Sequence, residues 1–86
     1  MSKAIFTVQN PLGLHARPAS LFVQTSTSFP CEILLSKNGK QVNGKSIMGI
    51  MSLAIAKGDE IEIVTHGEKE EEALQELGKV IQMVHE

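Results

Sequence analysis

Tryptophan and tyrosine are absent from this 86-residue chain, and three phenylalanines are its whole aromatic content. It therefore lacks platforms on which single-stranded bases could stack. A net charge of -2 removes the basic patch that nucleic acid usually demands. The single cysteine, Cys31, can form no internal disulfide, and it reads as a small buried strand residue rather than a redox thiol. A secretory signal and a long apolar run are both missing, so the expected location is the cytoplasm, without membrane insertion. His15, His66 and His85 show no ligand spacing and no nearby cysteine pair, so neither a metal nor another cofactor is expected. Linkers, repeats and low-complexity tracts are absent too, which leaves one domain over residues 1–86, large enough to fold alone around a modest core.

What is present is a regular alternation of short elements. Residues 3–8 are β-prone, and Asn10-Pro11-Leu12-Gly13 is a turn signal. Over 16–27, Ala19, Phe22, Val23 and Ser26 recur at helical spacing, and Phe29-Pro30 ends that helix. Residues 31–36 alternate, with Cys31, Ile33 and Leu35 on one face. Asn38-Gly39, flanked by two lysines, predicts a tight hairpin into 40–43, because both central residues of such a turn need positive φ. Ser46 reads as the N-cap of a short apolar helix. Lys57-Gly58-Asp59 is a turn, and 60–66 alternates with Ile61, Ile63 and Thr65 on one face. A last helix over about 69–84 carries Ala73, Leu77, Val80, Ile81 and Val84 on one stripe. Its early residues Glu68, Glu70, Glu71 and Glu72 suit a helix N-terminus. The order β-α-β-β-α-β-α predicts an α+β fold: a four-stranded antiparallel sheet with three helices on one face.

The chemistry concentrates at Gly13-Leu14-His15-Ala16-Arg17-Pro18-Ala19. His15 falls where a loop becomes a helix. The first amides of a helix have no intrahelical acceptor, and its dipole favours an anion there. Arg17 adds a cationic fork suited to phosphate oxygens. Pro18 suits a first helical turn because it needs no N–H partner. Histidine changes protonation near neutrality, and the neutral ring is a nucleophile. Phosphoryl transfer to it needs in-line access and donors for the phosphoryl oxygens. Those donors would be Arg17 and the backbone amides of Ala16 and Arg17, so the site is expected to be exposed. A hydrolase is the competing class, but the chain offers no second acid or base near His15.

This stretch resembles the active-site signature of the HPr family, the histidine-containing phosphocarriers of the bacterial sugar phosphotransferase system. Lys45-Ser46-Ile47-Met48-Gly49-Ile50-Met51-Ser52-Leu53 resembles the regulatory serine segment of the family in low-GC Gram-positive bacteria. The resemblance runs over essentially the whole chain. It implies an open-faced sandwich and a stoichiometric carrier rather than an enzyme. It also implies that His15, through Nδ1, receives a phosphoryl group from enzyme I and passes it to enzyme II A-type domains. Ser46 would be the substrate of an ATP-dependent HPr kinase/phosphorylase, and its phosphorylated form would meet a catabolite-control transcription factor. The regulatory paralogue Crh has glutamine at the active-site position, and this chain keeps His15. Ile47, Met48, Met51 and Leu53 cannot all face the sheet from so short a helix. Ile47, Met48 and Met51 are therefore assigned to partner docking, with Gly49 as weak further support, and Ser20, next after the His15 signature, is assigned to docking with them. A monomer is expected.

Overall fold

The computed structural model describes residues 1–83 and has seven elements. They are β1 (Ser2–Thr7), α1 (Ala16–Thr27), β2 (Glu32–Lys37), β3 (Lys40–Asn43), α2 (Ile47–Met51), β4 (Glu60–His66) and α3 (Glu70–Gln82). The expected order is therefore the observed one. The first strand lies one residue earlier than its sequence signal, and β2 one residue later, leaving Cys31 buried just ahead of it. The last helix stops at Gln82, so it is shorter at both ends than predicted. Val84 and His85 lie outside the described residues.

The strands form one antiparallel sheet in the order β1-β4-β2-β3. The last strand in sequence is thus central, with Ala4 opposite Ile63 on one side and Leu35 opposite Ile63 on the other. Alternation then selects the face. Ile33, Leu35, Ile61, Ile63 and Thr65 are all buried, with Ala19 and Phe22 of α1 and Ala73, Leu77, Val80 and Ile81 of α3 over them. Burying a side chain such as Phe22 or Leu77 contributes about 1.5–3 kcal/mol, so this single layer is the main stabilising term. The hairpin turn is as its sequence requires, with φ of 51° at Asn38 and 84° at Gly39. Helix α1 ends where the Ser28 hydroxyl closes on the Thr25 carbonyl at 2.6 Å, two residues ahead of Pro30.

Glu70 ties the outer strand to the last helix. Its carboxylate accepts from the Met1 ammonium at 2.7 Å, the Ser2 hydroxyl at 2.7 Å and the Gly67 amide at 3.1 Å. The ammonium, then the hydroxyl and the amide, hold its carboxyl down to about 2 from an ordinary 4.5. A depressed acid stabilises the fold above its unfolded value and loses that contribution as pH falls through the folded one. The stabilisation from Glu70 is therefore complete above about pH 4.5 and disappears toward pH 2. Glu70→Gln should give a flatter acid limb over that window in urea midpoints measured from pH 7 to pH 2. Identical acid limbs in the variant and the parent would mean that other carboxylates carry the acid sensitivity.

Candidate functional site

A turn and a neighbouring loop place His15. The Gly13 amide donates to the Asn10 carbonyl at 2.8 Å, and the buried Asn10 side chain returns a bond to the Gly13 carbonyl at 2.8 Å. The Leu14 amide then donates to the Ile55 carbonyl at 3.0 Å, crossing to the loop that follows α2. Gly13 has φ +67°, and a Cβ there would collide with the Ile55 carbonyl oxygen and stand 2.7 Å from the Ala56 Cα. Only glycine meets both the backbone angle and the close approach. Leu14 is buried, so the residue before the histidine is fixed by both its main chain and its side chain.

His15 is the N-cap of α1, with extended backbone, and its imidazole takes no part in capping. Its carbonyl accepts the first helical bond from Ala19 at 2.9 Å. Ahead of that bond, Ala16 and Arg17 open the helix on the exposed side, while Pro18 and Ala19 turn into the core. One expectation is corrected here: His15 is half-buried rather than fully exposed. The arrangement nonetheless puts His15 at the helix N-terminus with Arg17 in the first turn, residue types that suit an anionic group.

From Arg17 an open groove of about 600 Å³ runs along α1, lined by Ala16, Arg17, Ser20, Leu21 and Gln24. Ser20 lines this groove together with Arg17. Leu21 and Gln24 were missed, although Arg17, Ser20, Leu21 and Gln24 fall at the 0, 3, 4, 7 spacing of a single helical face.

Helix α2 packs against α1. The Ser46 hydroxyl caps it by accepting from the Gly49 amide at 3.1 Å. Ile50 and Leu53 are buried, whereas Ile47, Met48 and Met51 are 40%, 79% and 43% exposed. The predicted division of this apolar segment is therefore resolved, with those three on the surface. Gly49 also has a packing environment on β3. A Cβ there would come within 3.2 Å of the Val42 Cβ, so the residue lets α2 lie close on β3. His66 is exposed at the end of β4, away from this assembly in the chain and in the sheet. Among the described residues, no His, Cys, Asp and Glu group could hold a metal ion, and no helix is long and apolar enough to cross a membrane.

Fold and site together define an open-faced α+β sandwich that mounts a histidine at the start of its first helix. A family model described as PTS HPr component phosphorylation site matches residues 2–83, and the chain belongs to the HPr family. An HPr-like protein Crh from Bacillus subtilis is 51% identical over 70 residues, or 81% of this chain and 82% of that one. A phosphocarrier protein HPr from Neisseria meningitidis serogroup B is 48% identical over 81 residues, or 94% of this chain and 91% of that one. The crystal structure of a phosphocarrier protein HPr from Bacillus anthracis matches with a TM-score of 0.91 at 49% identity, covering 94% of this chain and 96% of that one. A Crh from Bacillus subtilis and an HPr from Thermoanaerobacter tengcongensis have been solved as dimers.

Gly13→Ala should destabilise the fold by about 3 kcal/mol, since positive φ and a backbone collision both oppose it. Urea unfolding measures this directly. A loss below about 1 kcal/mol would mean that the 10–14 turn is free to move away from Ile55.

Proposed function

We propose that this chain is a cytoplasmic phosphocarrier that accepts a phosphoryl group on His15 from phosphorylated enzyme I and delivers it to enzyme II A-type domains. The observation that carries this reading is the His15 imidazole, left out of capping at a helix start beside Arg17. In the forward step a neutral ring nitrogen, Nδ1 by family resemblance, attacks phosphorus in line as the bond to the donor breaks. In the delivery step the new P–N bond breaks as the acceptor attacks. Arg17 and the amides of Ala16 and Arg17 stabilise charge on the phosphoryl oxygens in both directions. The protein is a reactant, regenerated by its partners, and not a catalyst. Identity to Crh and to HPr relatives is nearly equal, so the presence of His15 is what favours the carrier over the regulatory paralogue. A monomer is the proposed working state.

His15→Ala should fold normally and accept no phosphoryl group from enzyme I and phosphoenolpyruvate, where the parent gives a stable phosphohistidine. Residual phosphorylation of the variant would remove His15 from this role. Release of inorganic phosphate by the parent would indicate a hydrolase instead.

Ser46 supports a second, regulatory reading as the substrate of an HPr kinase/phosphorylase. Its cap geometry means that a phosphate would arrive at a helix N-terminus, where about two negative charges are tolerated. The fold then survives while the charge beside Ile47, Met48 and Met51 changes partner choice, disfavouring enzyme I and favouring a catabolite-control transcription factor. Ser46→Asp should keep the cap, because aspartate is a good N-cap. It should slow His15 phosphorylation by enzyme I, and the effect should shrink as the Debye length falls from about 10 Å to about 3 Å between 0.1 and 1 M salt. Equal rates for variant and parent at low salt would leave Ser46 as a cap alone.

A further inference from the structure

The two lysines of the hairpin do more than flank a turn. Lys37 ends β2 on the same face as Ile33 and Leu35, which directs its side chain under the end of α2. Its ammonium reaches the Asp59 carboxylate at 2.8 Å, the Ala54 carbonyl at 2.9 Å and the Leu53 carbonyl at 3.3 Å. An ammonium has three protons, and each has an acceptor here. Lys37 and Asp59 are 18% and 30% exposed, the least exposed ion pair among the described residues. The same Asp59 oxygen accepts from the Ala56 amide at 2.8 Å. Lys37, followed by the Ala56 amide, holds the Asp59 carboxyl below the usual carboxylate range. Ala54, between these contacts, has φ +50°, a conformation that costs a side-chain-bearing residue energy and persists only where surrounding contacts enforce it.

The loop gathered in this way is the one on which the histidine stands. Between Ala54 and Ala56 lies Ile55, whose carbonyl receives the Leu14 amide and faces Gly13. Asp59 also bonds through its carbonyl to the Val8 amide at 2.9 Å, at the start of the segment that leads to His15. One cation therefore fixes a carboxylate and two carbonyls that bracket the anchor point of the active-site turn. We propose that Lys37 and Asp59 are positioning residues for phosphoryl acceptance, setting the His15 ring by holding the Ile55 carbonyl in place. The inference rests on the carrier reading of His15.

The test uses the full chain with Lys37→Met, which keeps the aliphatic stem, and Asp59→Asn, which keeps an acceptor for the Ala56 amide and is the milder change. Rates of phosphorylation by enzyme I are measured at saturation and corrected for the folded fraction from urea unfolding. Amide exchange at Leu14 and the ¹⁵N resonances of the His15 ring are recorded on the same samples. Both variants should lose about tenfold in the saturated rate with little change in KM, because the reacting ring is misplaced while docking is intact. Leu14 exchange should speed up by about tenfold relative to the core strands. If the corrected rate and the Leu14 exchange in Asp59→Asn both match the parent, the pair is only structural and the proposal is overturned. A parent chain that accepts no phosphoryl group overturns the carrier reading together with this one. A parent that accepts it while the variants also match it overturns this one alone.

Discussion

The site depends on one backbone contact between two loops, Gly13 against the Ile55 carbonyl with the Leu14 amide bonded to it. Everything that presents His15 follows from that contact. It fixes where α1 begins, and the start of α1 fixes where Ala16, Arg17 and the histidine ring meet solvent. On the proposed carrier reading, His15 needs this kind of mount. Group transfer between two proteins rewards a ring held near its reactive geometry before either partner arrives, because orientation lost in a flexible loop must be recovered during the encounter. Buried Leu14, Pro18 and Ala19 surround the exposed pair Ala16 and Arg17, so rigidity and access coexist within six residues of chain.

The same loop closes the short helix beside it. Five residues are too few for a helix to be stable alone in water. Helix α2 exists because Ser46 satisfies its first turn, Ile50 enters the core, and lysines from the hairpin meet the carbonyls just past its end. Cations at that end also complement the dipole. With stability supplied from outside its exposed side, α2 can leave Ile47, Met48 and Met51 on the surface beside α1. An apolar surface of flexible side chains next to the helix that carries Arg17 suits successive partners that differ in detail. A phosphate on Ser46 would alter that surface without removing the elements that support it.

Short-range patterns in the sequence carried most of the architecture. Alternation at Ile33 and Leu35, and at Ile61, Ile63 and Thr65, is a property of neighbouring residues on a pleated strand, and those residues are the buried ones. Asn38-Gly39 and Ser46 act through their own backbone or that of a residue three positions away, so the turn and the cap were legible. The spacing Arg17, Ser20, Leu21, Gln24 was equally local, and the groove could have been found from it.

Tertiary structure decided what depends on residues far apart in the chain. The sheet order β1-β4-β2-β3, with the last strand in the middle, comes from pairing across the whole domain. The seating of Leu14, the residue before His15, comes from a bond to Ile55 some forty residues on. The close fit at Gly49 comes from Val42 on another strand, and the union of Lys37 with Asp59 comes from a hairpin end meeting a loop. Sequence by itself determined the elements, the buried face and the histidine with its arginine, because propensity, periodicity and capping act within a few residues. Only the folded chain determined how firmly that histidine is held and what holds it, because backbone contacts between distant loops leave no periodic trace in the residues that make them.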